Sequence, residues 1–386
     1  MKKIGIFTYF NYYNYGSMLQ GYATQQAFNK VIGQNNLCEL VDYHYISSLE
    51  KSRRKRLLYR ILNLYKYLFR FKELRVKRRF KEKMNLRNDK FDNFKRNYTK
   101  VSTTKYHDKA DFIKNKPEYD IYVVGSDQTW SPKVSGGYSE TPMLLDFIPS
   151  SKIKCAYAPS LGVTELSCRE TELLRKNLKE YHIISCREAK GAQILSKILD
   201  TTIPHVLDPT LLLSPSEWKS IAVRPNIGSN KYILCYFLGD REYYRKFAQQ
   251  LSEQLGLPLY YIPVSWKDCN ESNNLIFEAG PQEFIGLIDN AHTVLTDSFH
   301  GVAFCTNLNK DFYCFTKHSG GVSSGDNSRI YDFLNNLGLS DRLILTYEED
   351  DIDYKPIDFT EVNDKIAEHR QVSMKVVKDI VELIND

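Results

Sequence analysis

The chain has 386 residues, of which 42% are hydrophobic and 26% charged, a composition typical of a globular protein with two ordinary domains. Its eight cysteines are scattered and form no Cys-x-x-Cys pair, which argues against a zinc site and a disulfide framework and indicates a reduced cytosol. The net charge is +6. Because no run approaches about 18 uncharged apolar residues, we expect a cytoplasmic protein without a membrane-spanning helix.

The first half of the chain begins as an alternation of strand-like and helix-like segments. Ile4–Thr8 is predicted as a strand, Ser17–Val31 as a helix and Leu40–Tyr43 as the next strand. Ser185-x-x-Glu188 is typical of a capping box that opens a helix. After residue 100 the predicted strands and helices are Ile121–Val124, Ile153–Tyr157, Glu165–Lys179, Ile183–Cys186 and Ala189–Leu199.

Residues 51–100, the basic segment, carry most of the positive charge, with 20 lysines and arginines against 4 acidic residues. Within it, Leu57–Phe71 is rich in leucine and aromatic residues. This composition leaves three interpretations open: a solvated helical insertion packed on its own domain, a helix in peripheral contact with a membrane, and a nucleic-acid contact. We expect a helical insertion, with membrane contact as its alternative, and no nucleic-acid partner.

A second alternating unit follows the stretch Val223–Lys231, whose Pro, Asn and Gly residues predict a linker. Its predicted strands and helices are Tyr232–Leu238, Tyr243–Leu255, Leu259–Ile262, Pro281–Asp289, Thr293–Thr296 and Phe312–Phe315, before a helical tail over Ile357–Leu383. We therefore predict an α/β protein of two Rossmann-like domains, whose parallel sheets face a cleft in a GT-B-like architecture. The expected domains are 1–222 with the basic helical insertion at about 51–100, 223–350, and a tail at 351–386 that packs back on the first domain.

Small polar residues, a histidine and a glycine follow the predicted strand Thr293–Thr296, in the order Asp297-Ser298-Phe299-His300-Gly301. Ligand sites in open α/β sheets lie beyond the carboxyl ends of the strands. There, Gly301 allows close approach of a ligand to the backbone, and His300 exchanges a proton near neutral pH. This segment is therefore a candidate functional site.

Four further segments of this kind occur along the chain. Together with Asp297–Gly301 they resemble, in this order, the polysaccharide pyruvyltransferase family, and the resemblance runs from Lys3 to about Arg342. It implies a GT-B-like enzyme that transfers pyruvate from phosphoenolpyruvate to a sugar of a cell-surface polysaccharide or its lipid-linked precursor, at the inner face of the membrane where the acceptor is lipid-linked. The four segments are Gly5–Thr8 with Asn11–Ser17, Asp120–Trp130, Ile183–Glu188 and Val206–Thr210.

The resemblance also implies the catalytic residues. Pyruvyl transfer needs an acid for the methylene carbon of the donor and a base for the sugar hydroxyls. His300 falls on the family's donor-contacting histidine and is the expected acid and base. Asp297 is expected either to orient His300 or to cap the following turn. Since no step requires a metal or a redox cofactor, none is expected.

Donor binding is expected to depend on cations. Arg187 matches an arginine that binds the donor anion in the family, and Ser298 and Gly301 belong to the donor-binding motif. Ser298 stands where better-known members carry an arginine, so a second cation is needed. We expect Arg329, in a loop over Ser319–Ser328, to supply that charge, with Lys317 and His318 as alternatives. The family's second donor histidine, near Ala158–Gly162, has no counterpart in this chain.

Acceptor binding is assigned to two polar loops that would face the cleft. One is Asn14, Tyr15, Gly16 and Ser17, and the other is Ser126, Asp127 and Gln128. Two other functions remain as alternatives: a GT-B-like glycosyltransferase that uses a nucleotide sugar, and a non-catalytic protein that binds a membrane or a polyanion through the basic segment. Fold alone does not separate these functions.

Overall fold

The computed structural model describes residues 1–33, 35–44, 75–76, 78–134, 137–138, 141–224, 226–228, 231–269, 274–317, 325–347 and 352–384. Residues 1–224 contribute strands β1–β6 and helices α1–α6, in the order β1 Lys3–Phe7, α1 Tyr15–Ile32, β2 Leu37–Tyr43, α2 Lys81–Tyr98, β3 Val101–Tyr106, α3 Lys109–Lys114, β4 Ile121–Val124, β5 Ile153–Ala156, α4 Cys168–Leu178, β6 Ile183–Ile184, α5 Ala189–Leu199 and α6 Pro215–Ile221. The remainder contributes β7 Ile233–Tyr236, α7 Glu242–Leu255, β8 Leu259–Tyr261, β9 Asn274–Leu275, α8 Pro281–Asn290, β10 Thr293–Thr296, α9 Phe299–Asn307, β11 Asp311–Phe315, α10 Gly325–Leu337, β12 Leu343–Ile344 and α11 Thr360–Glu382.

The strands form two six-stranded sheets, both entirely parallel. The first has the order β3-β2-β1-β4-β5-β6 and the second the order β9-β8-β7-β10-β11-β12. Both follow the Rossmann order. The first three strands run from the centre of the sheet to one edge, and the fourth strand then pairs with the other side of the first. The central strands are buried on both faces, as the burial of all four residues of β4 and of β10 shows. The predicted fold class, two Rossmann-like α/β domains, is confirmed.

The reversal in each sheet creates a crevice at the carboxyl ends of its central strands. In the first sheet, Phe7 of β1 pairs with Val124 of β4, and in the second, Tyr236 of β7 pairs with Thr296 of β10. The loops that follow these four strands carry most of the predicted site residues. The topology therefore brings segments that are far apart in sequence to two facing sheet edges.

Several local predictions differ from the structure. Strand β3 and helix α3 fall where no element was expected, and the predicted loop over Ser319–Ser328 is wrong at its end, because α10 begins at Gly325. Residues 51–74 and 77 of the basic segment lie outside the described residues. The membrane and polyanion interpretations depend on these residues and stay predictions. In the described part of the chain, none of the helices has the length and apolar character that crossing a membrane requires.

Helix α11 packs on the first sheet's side of the molecule, against α1 and against the segment that follows α5. The His205 and His369 rings lie edge to face, with their centroids 4.6 Å apart. Three contacts fasten the helix: His369 Nε2 lies 3.0 Å from the His205 carbonyl, the Leu207 amide donates to Ser373 Oγ at 2.9 Å, and Arg370 Nε donates to the Leu211 carbonyl at 2.6 Å. The tail thus holds residues 205–211 in place. The domain boundary at 222 and 223 stays a prediction.

This contact predicts a pH-dependent stability. Burial and the neighbouring His369 lower the pKa of His205 to about 4. Since an unfolded histidine titrates near pH 6.5, the unfolded chain binds more protons between pH 6.5 and pH 4, and folding stability falls over that window by up to roughly 3 kcal/mol. We expect urea unfolding to give a lower free energy of unfolding at pH 5 than at pH 7.5, and the difference to shrink in His205→Gln. An undiminished difference in the variant would contradict the assignment.

Candidate active site

His300 lies in the first turn of α9, directly beyond β10. Ser298 caps this helix, since its Oγ accepts a hydrogen bond from the Gly301 amide at 3.3 Å. The Ser298 amide in turn donates to Thr296 Oγ1 at 3.1 Å. A Cβ on Gly301 would lie 2.7 Å from the same Thr296 Oγ1, so glycine lets the helix start close to the strand end. Ser298 and Gly301, both predicted donor residues, thus shape the turn that positions the imidazole.

Gly16, which belongs to the unit of the first sheet, also lies against the His300 imidazole. It stands in the first turn of α1, and a Cβ there would lie 2.3 Å from His300 Nδ1. Asn14 caps α1, because its Oδ1 accepts a hydrogen bond from the Ser17 amide at 3.0 Å. The N-termini of α1 and α9 therefore meet at His300, one from each sheet's unit. Their partial positive charges both favour an anion at this position.

Arg187, which follows β6, is buried with its side chain only 1% exposed. Its Nη1 donates to Asp208 Oδ2 at 2.9 Å, and its Nε donates to Glu188 Oε1 at 3.1 Å. The guanidinium lies over the Phe299 ring, 4.5 Å from its centroid. Burial opposes the charge, but Glu188, Asp208 and Asp127 hold the pKa of Arg187 above its ordinary value. Arg187 is therefore a fixed cation, and its Nη2 is buried without a hydrogen-bond partner among the described residues.

Asp208 joins Arg187 to His300. Its Oδ2 lies 2.9 Å from Arg187 Nη1 and 3.5 Å from His300 Nε2, and its Oδ1 accepts hydrogen bonds from the Thr210 amide and hydroxyl. Burial opposes ionisation, but His300 and Arg187 hold the pKa of the Asp208 carboxyl well below its usual range. Asp208 was not among the predicted site residues. Its position directly after the apolar pair Val206-Leu207, in the segment Val206–Thr210, is the sequence signal that could have identified it.

Asp297 and Lys317 lie on the second sheet's side of the site. Asp297 is fully buried and accepts hydrogen bonds from the Leu238 and Gly239 amides, both at 2.6 Å. Burial raises the pKa of Asp297, and the positive charge of Lys317 opposes that rise. Lys317 also donates its backbone amide to Asn327 Oδ1 at 2.9 Å. Asp297 thus holds the loop after β7 to the end of β10.

Arg329 lies on α10 and is 8% exposed. It shares a small cavity with Arg187, Asp208 and Phe299. Asp332 lines the same cavity, and burial together with the charge of Glu188 raises the pKa of its carboxyl. The structure therefore brings together the two arginines that were predicted to bind the donor.

The predicted acceptor loops differ in what their side chains contact. Asp127 lies between them: its Oδ2 accepts a hydrogen bond from Ser17 Oγ at 3.5 Å, and its Oδ1 lies 3.7 Å from Arg187 Nη1. Ser126 is buried, with its hydroxyl donating to the Ala158 carbonyl at 2.8 Å. The Gln128 side chain lies beside Gly162. Asp127 thus connects the acceptor candidate Ser17 with Arg187.

Tyr15 packs between the two sheets' units. Its hydroxyl donates to the Ala279 carbonyl at 2.7 Å, and its ring stacks on Phe284 with centroids 4.4 Å apart. Asn14 and Tyr15 also line a cavity of about 300 Å³ between the units, together with residues from the loops after β7 and β8 and from α2. Arg87 of α2, which was not predicted as a site residue, lines this cavity.

Comparison with known proteins identifies the family. The model of the polysaccharide pyruvyl transferase family matches residues 14–319. Among solved structures, the chain is similar to a putative UDP-N-acetylglucosamine 2-epimerase from Listeria monocytogenes (12% identity, 94% of each chain, TM-score 0.43). It is also similar to the UDP-GlcNAc 2-epimerase from Methanocaldococcus jannaschii (11% identity, 100% of this chain and 99% of that one, TM-score 0.48) and to the E. coli ADP-heptose lps heptosyltransferase II (12% identity, 95% and 99%, TM-score 0.37). No curated protein matches the chain. Because the family match covers most of its length, this chain belongs to the polysaccharide pyruvyl transferase family.

Proposed function

We propose that this protein transfers pyruvate from phosphoenolpyruvate to a sugar of a cell-surface polysaccharide or its lipid-linked precursor, as a ketal. The observation that carries the proposal is the convergence of three side chains: Asp208 Oδ2 lies 2.9 Å from Arg187 Nη1 and 3.5 Å from His300 Nε2, and Arg187 Nη2 is unpartnered among the described residues. A buried arginine gives the donor anion a preorganised partner, and a histidine beside a carboxylate manages protons.

Donor binding needs more positive potential than Arg187 supplies, because three carboxylates surround that side chain. The N-termini of α1 and α9 contribute part of it. Arg329, in the same small cavity, contributes a full charge. This arrangement supports the expectation that Arg329 replaces the cation missing at Ser298.

The two ring nitrogens of His300 have different surroundings, and these assign the proton transfer. Asp208 beside Nε2 favours a ring that keeps its proton on Nε2 and exchanges protons through Nδ1, on the Gly16 side. The protonated ring delivers a proton to the methylene carbon of the enol, and an oxocarbenium-like centre forms at the carbon that bears carboxylate and phosphate. The oxygen of one sugar hydroxyl bonds to this carbon and its proton returns to the ring. Phosphate then leaves with the electron pair of its carbon–oxygen bond, and the second hydroxyl closes the ketal as its proton passes to the departing phosphate, which leaves the ring protonated for the next turnover.

The test is to incubate the purified protein with phosphoenolpyruvate and a set of oligosaccharide and lipid-linked acceptors. We expect acceptor-dependent release of phosphate, and a pyruvyl group on the acceptor by mass spectrometry. His300→Ala should lower both signals by several orders of magnitude, while His107→Ala, which changes an exposed histidine, should keep them. Release of a nucleoside diphosphate from a nucleotide sugar would replace the proposal with the glycosyltransferase alternative. Absence of turnover with every acceptor would contradict it.

Arg329→Ala is expected to raise the apparent KM for phosphoenolpyruvate by about ten- to a hundredfold, because one charge-assisted contact to the donor is lost. The KM for the acceptor should change little. Steady-state phosphate release at varied donor concentration measures both. An unchanged KM for the donor would remove Arg329 from the donor site.

A further inference from the structure

The cavity of about 300 Å³ between the two sheets' units is a second candidate binding site. Its wall is formed by the start of α1, by the loops after β7 and β8, and by α2. It is mostly apolar and aromatic, lined by Tyr13, Tyr15, Val76, Met84, Tyr236, Leu238, Pro263, Val264 and Phe277, with Asn14, Arg87, Ser265 and Cys269 as its other lining residues. A cavity of this size, with both apolar and polar groups in its wall, is in the range of sites for organic ligands.

The cavity lies next to the candidate active site, because residues that line it are adjacent in sequence to, or hydrogen-bonded with, residues of that site. Asn14 and Tyr15 line it, and the next residue, Gly16, touches His300. On the opposite wall, Leu238 lines the cavity while its amide donates to Asp297 at the end of β10. A ligand in this cavity would therefore lie beside the loop and the helix start that contact His300 and Asp297.

Arg87 carries the only charge among the described residues that line the cavity. It is half-buried, and its Nε is buried without a hydrogen-bond partner in the described part of the chain. The guanidinium interacts with the Tyr15 hydroxyl, and burial raises the pKa of both Tyr15 and Tyr236, so neither phenol supplies a balancing negative charge. Glu283 also acts on Tyr15, but it is paired with Lys90 at 2.6 Å. Among the described residues that line it, the cavity therefore has a cation and no carboxylate to balance it.

Four aromatic side chains also line the cavity, and two of them, Phe277 and Tyr13, are held by other rings. Phe277 stacks on Phe80 with ring centroids 4.1 Å apart, which fixes its plane. Tyr13 is 49% exposed, and its ring is held edge-on by Phe91 while its hydroxyl donates to Asp92. Tyr13 is therefore an exposed ring in the cavity wall, and the Ser265 hydroxyl lines the same cavity; these groups suit the apolar faces and hydroxyls of a sugar.

We propose that this cavity binds the phosphate-bearing end of the acceptor, a sugar with a phosphate ester, through Arg87. The inference rests on the proposed function, since it places the sugar to be pyruvylated at His300 and the rest of the acceptor in the cavity. It narrows the substrate class to anionic acceptors. A sugar 1-phosphate and a lipid-linked sugar diphosphate share the chemistry that Arg87 recognises.

Calorimetric titration of the full chain with N-acetylglucosamine 1-phosphate, N-acetylglucosamine and inorganic phosphate tests the site. We expect the sugar phosphate to bind more tightly than either fragment, and Arg87→Ala to weaken its binding about tenfold or more. Arg87→Lys should recover part of that loss. Arg96→Ala, which removes an exposed arginine of the same helix, should bind like the parent protein. Thermal unfolding of each variant shows whether it is folded.

Equal affinity of Arg87→Ala and the parent protein for the sugar phosphate would overturn the proposal, and so would absence of binding to the parent protein. Competition between acceptors identifies the source of the phosphate group that the cavity binds. A lipid-linked sugar diphosphate should compete with the sugar 1-phosphate. Binding that depends on Arg87 without pyruvyl transfer would support the cavity and contradict the proposed function. Pyruvyl transfer with the same KM for phosphorylated acceptors in Arg87→Ala and in the parent protein would support the proposed function and contradict the role of the cavity.

Discussion

Asp208→Asn is expected to lower kcat for pyruvyl transfer by about ten-thousandfold, the size of effect seen when a histidine loses the carboxylate that orients it. Asp208 Oδ2 lies between Arg187 Nη1 and His300 Nε2, and the amide keeps the shape of the side chain while it removes the charge. His300 then loses the group that sets its tautomer and stabilises its protonated form. Phosphate release at saturating donor and acceptor measures kcat.

The KM for phosphoenolpyruvate should change far less than kcat, because Arg187 keeps its contacts with Glu188 and Asp127 in the variant. His300→Ala should lower kcat by a similar factor, and the double variant should be little worse than either single one, as is expected of groups that act as a unit. Additive losses in the double variant, or a kcat near that of the parent protein in Asp208→Asn, would show that Asp208 does not act through His300. Thermal unfolding controls for loss of the buried ion pair.

The architecture was predictable because it depends on local patterns. Apolar runs such as Ile121–Val124 are bounded by glycine and polar residues and alternate with helical periodicity, so both sheets and most helices follow from the sequence. The placement of His300 after β10 was predictable for the same reason, since the strand end and the helix start are adjacent in sequence.

The partner of His300 was not predictable in this way. Asp297 is the nearest carboxylate in sequence, yet its contacts are the Leu238 and Gly239 amides. Asp208 reaches His300 through a parallel bridge between Cys186 and His205, which sets the segment after His205 beside Arg187. Such long-range pairing leaves no trace in sequence periodicity.

Two other differences have local physical causes. The pair Ser185 and Glu188 has the spacing of a capping box. However, the Ser185 hydroxyl accepts a hydrogen bond from the Ala158 amide, and Glu188 pairs with Arg187. The Gly, Ser and Asn content before Arg329 predicted a loop, but α10 starts at Gly325, because helix propensity is a weak preference that tertiary contacts override. In both cases polar residues near the candidate site have the composition that is typical of a helix start or of a loop.

Gly16→Ala is expected to lower kcat by about a hundredfold, since a misplacement of about 1 Å at a catalytic group has that effect. The added Cβ would lie 2.3 Å from His300 Nδ1, closer than non-bonded atoms approach, so the imidazole or the start of α1 must move. Alanine is a better helix former than glycine, which offsets part of the cost of overpacking at this position. We therefore expect a large loss of activity with a small change in the free energy of unfolding, measured by phosphate release and by urea unfolding.

Gly228→Ala provides the matched control, because its added Cβ would lie 3.6 Å from the Tyr260 hydroxyl, an ordinary contact distance. That variant should keep the kcat of the parent protein. Since Gly16 and His300 belong to opposite sheets' units, the loss in Gly16→Ala reports whether these units are closed around the imidazole during turnover. Unchanged kcat in Gly16→Ala would mean that the reactive arrangement is more open than the one described here, and that His300 works away from the N-terminus of α1.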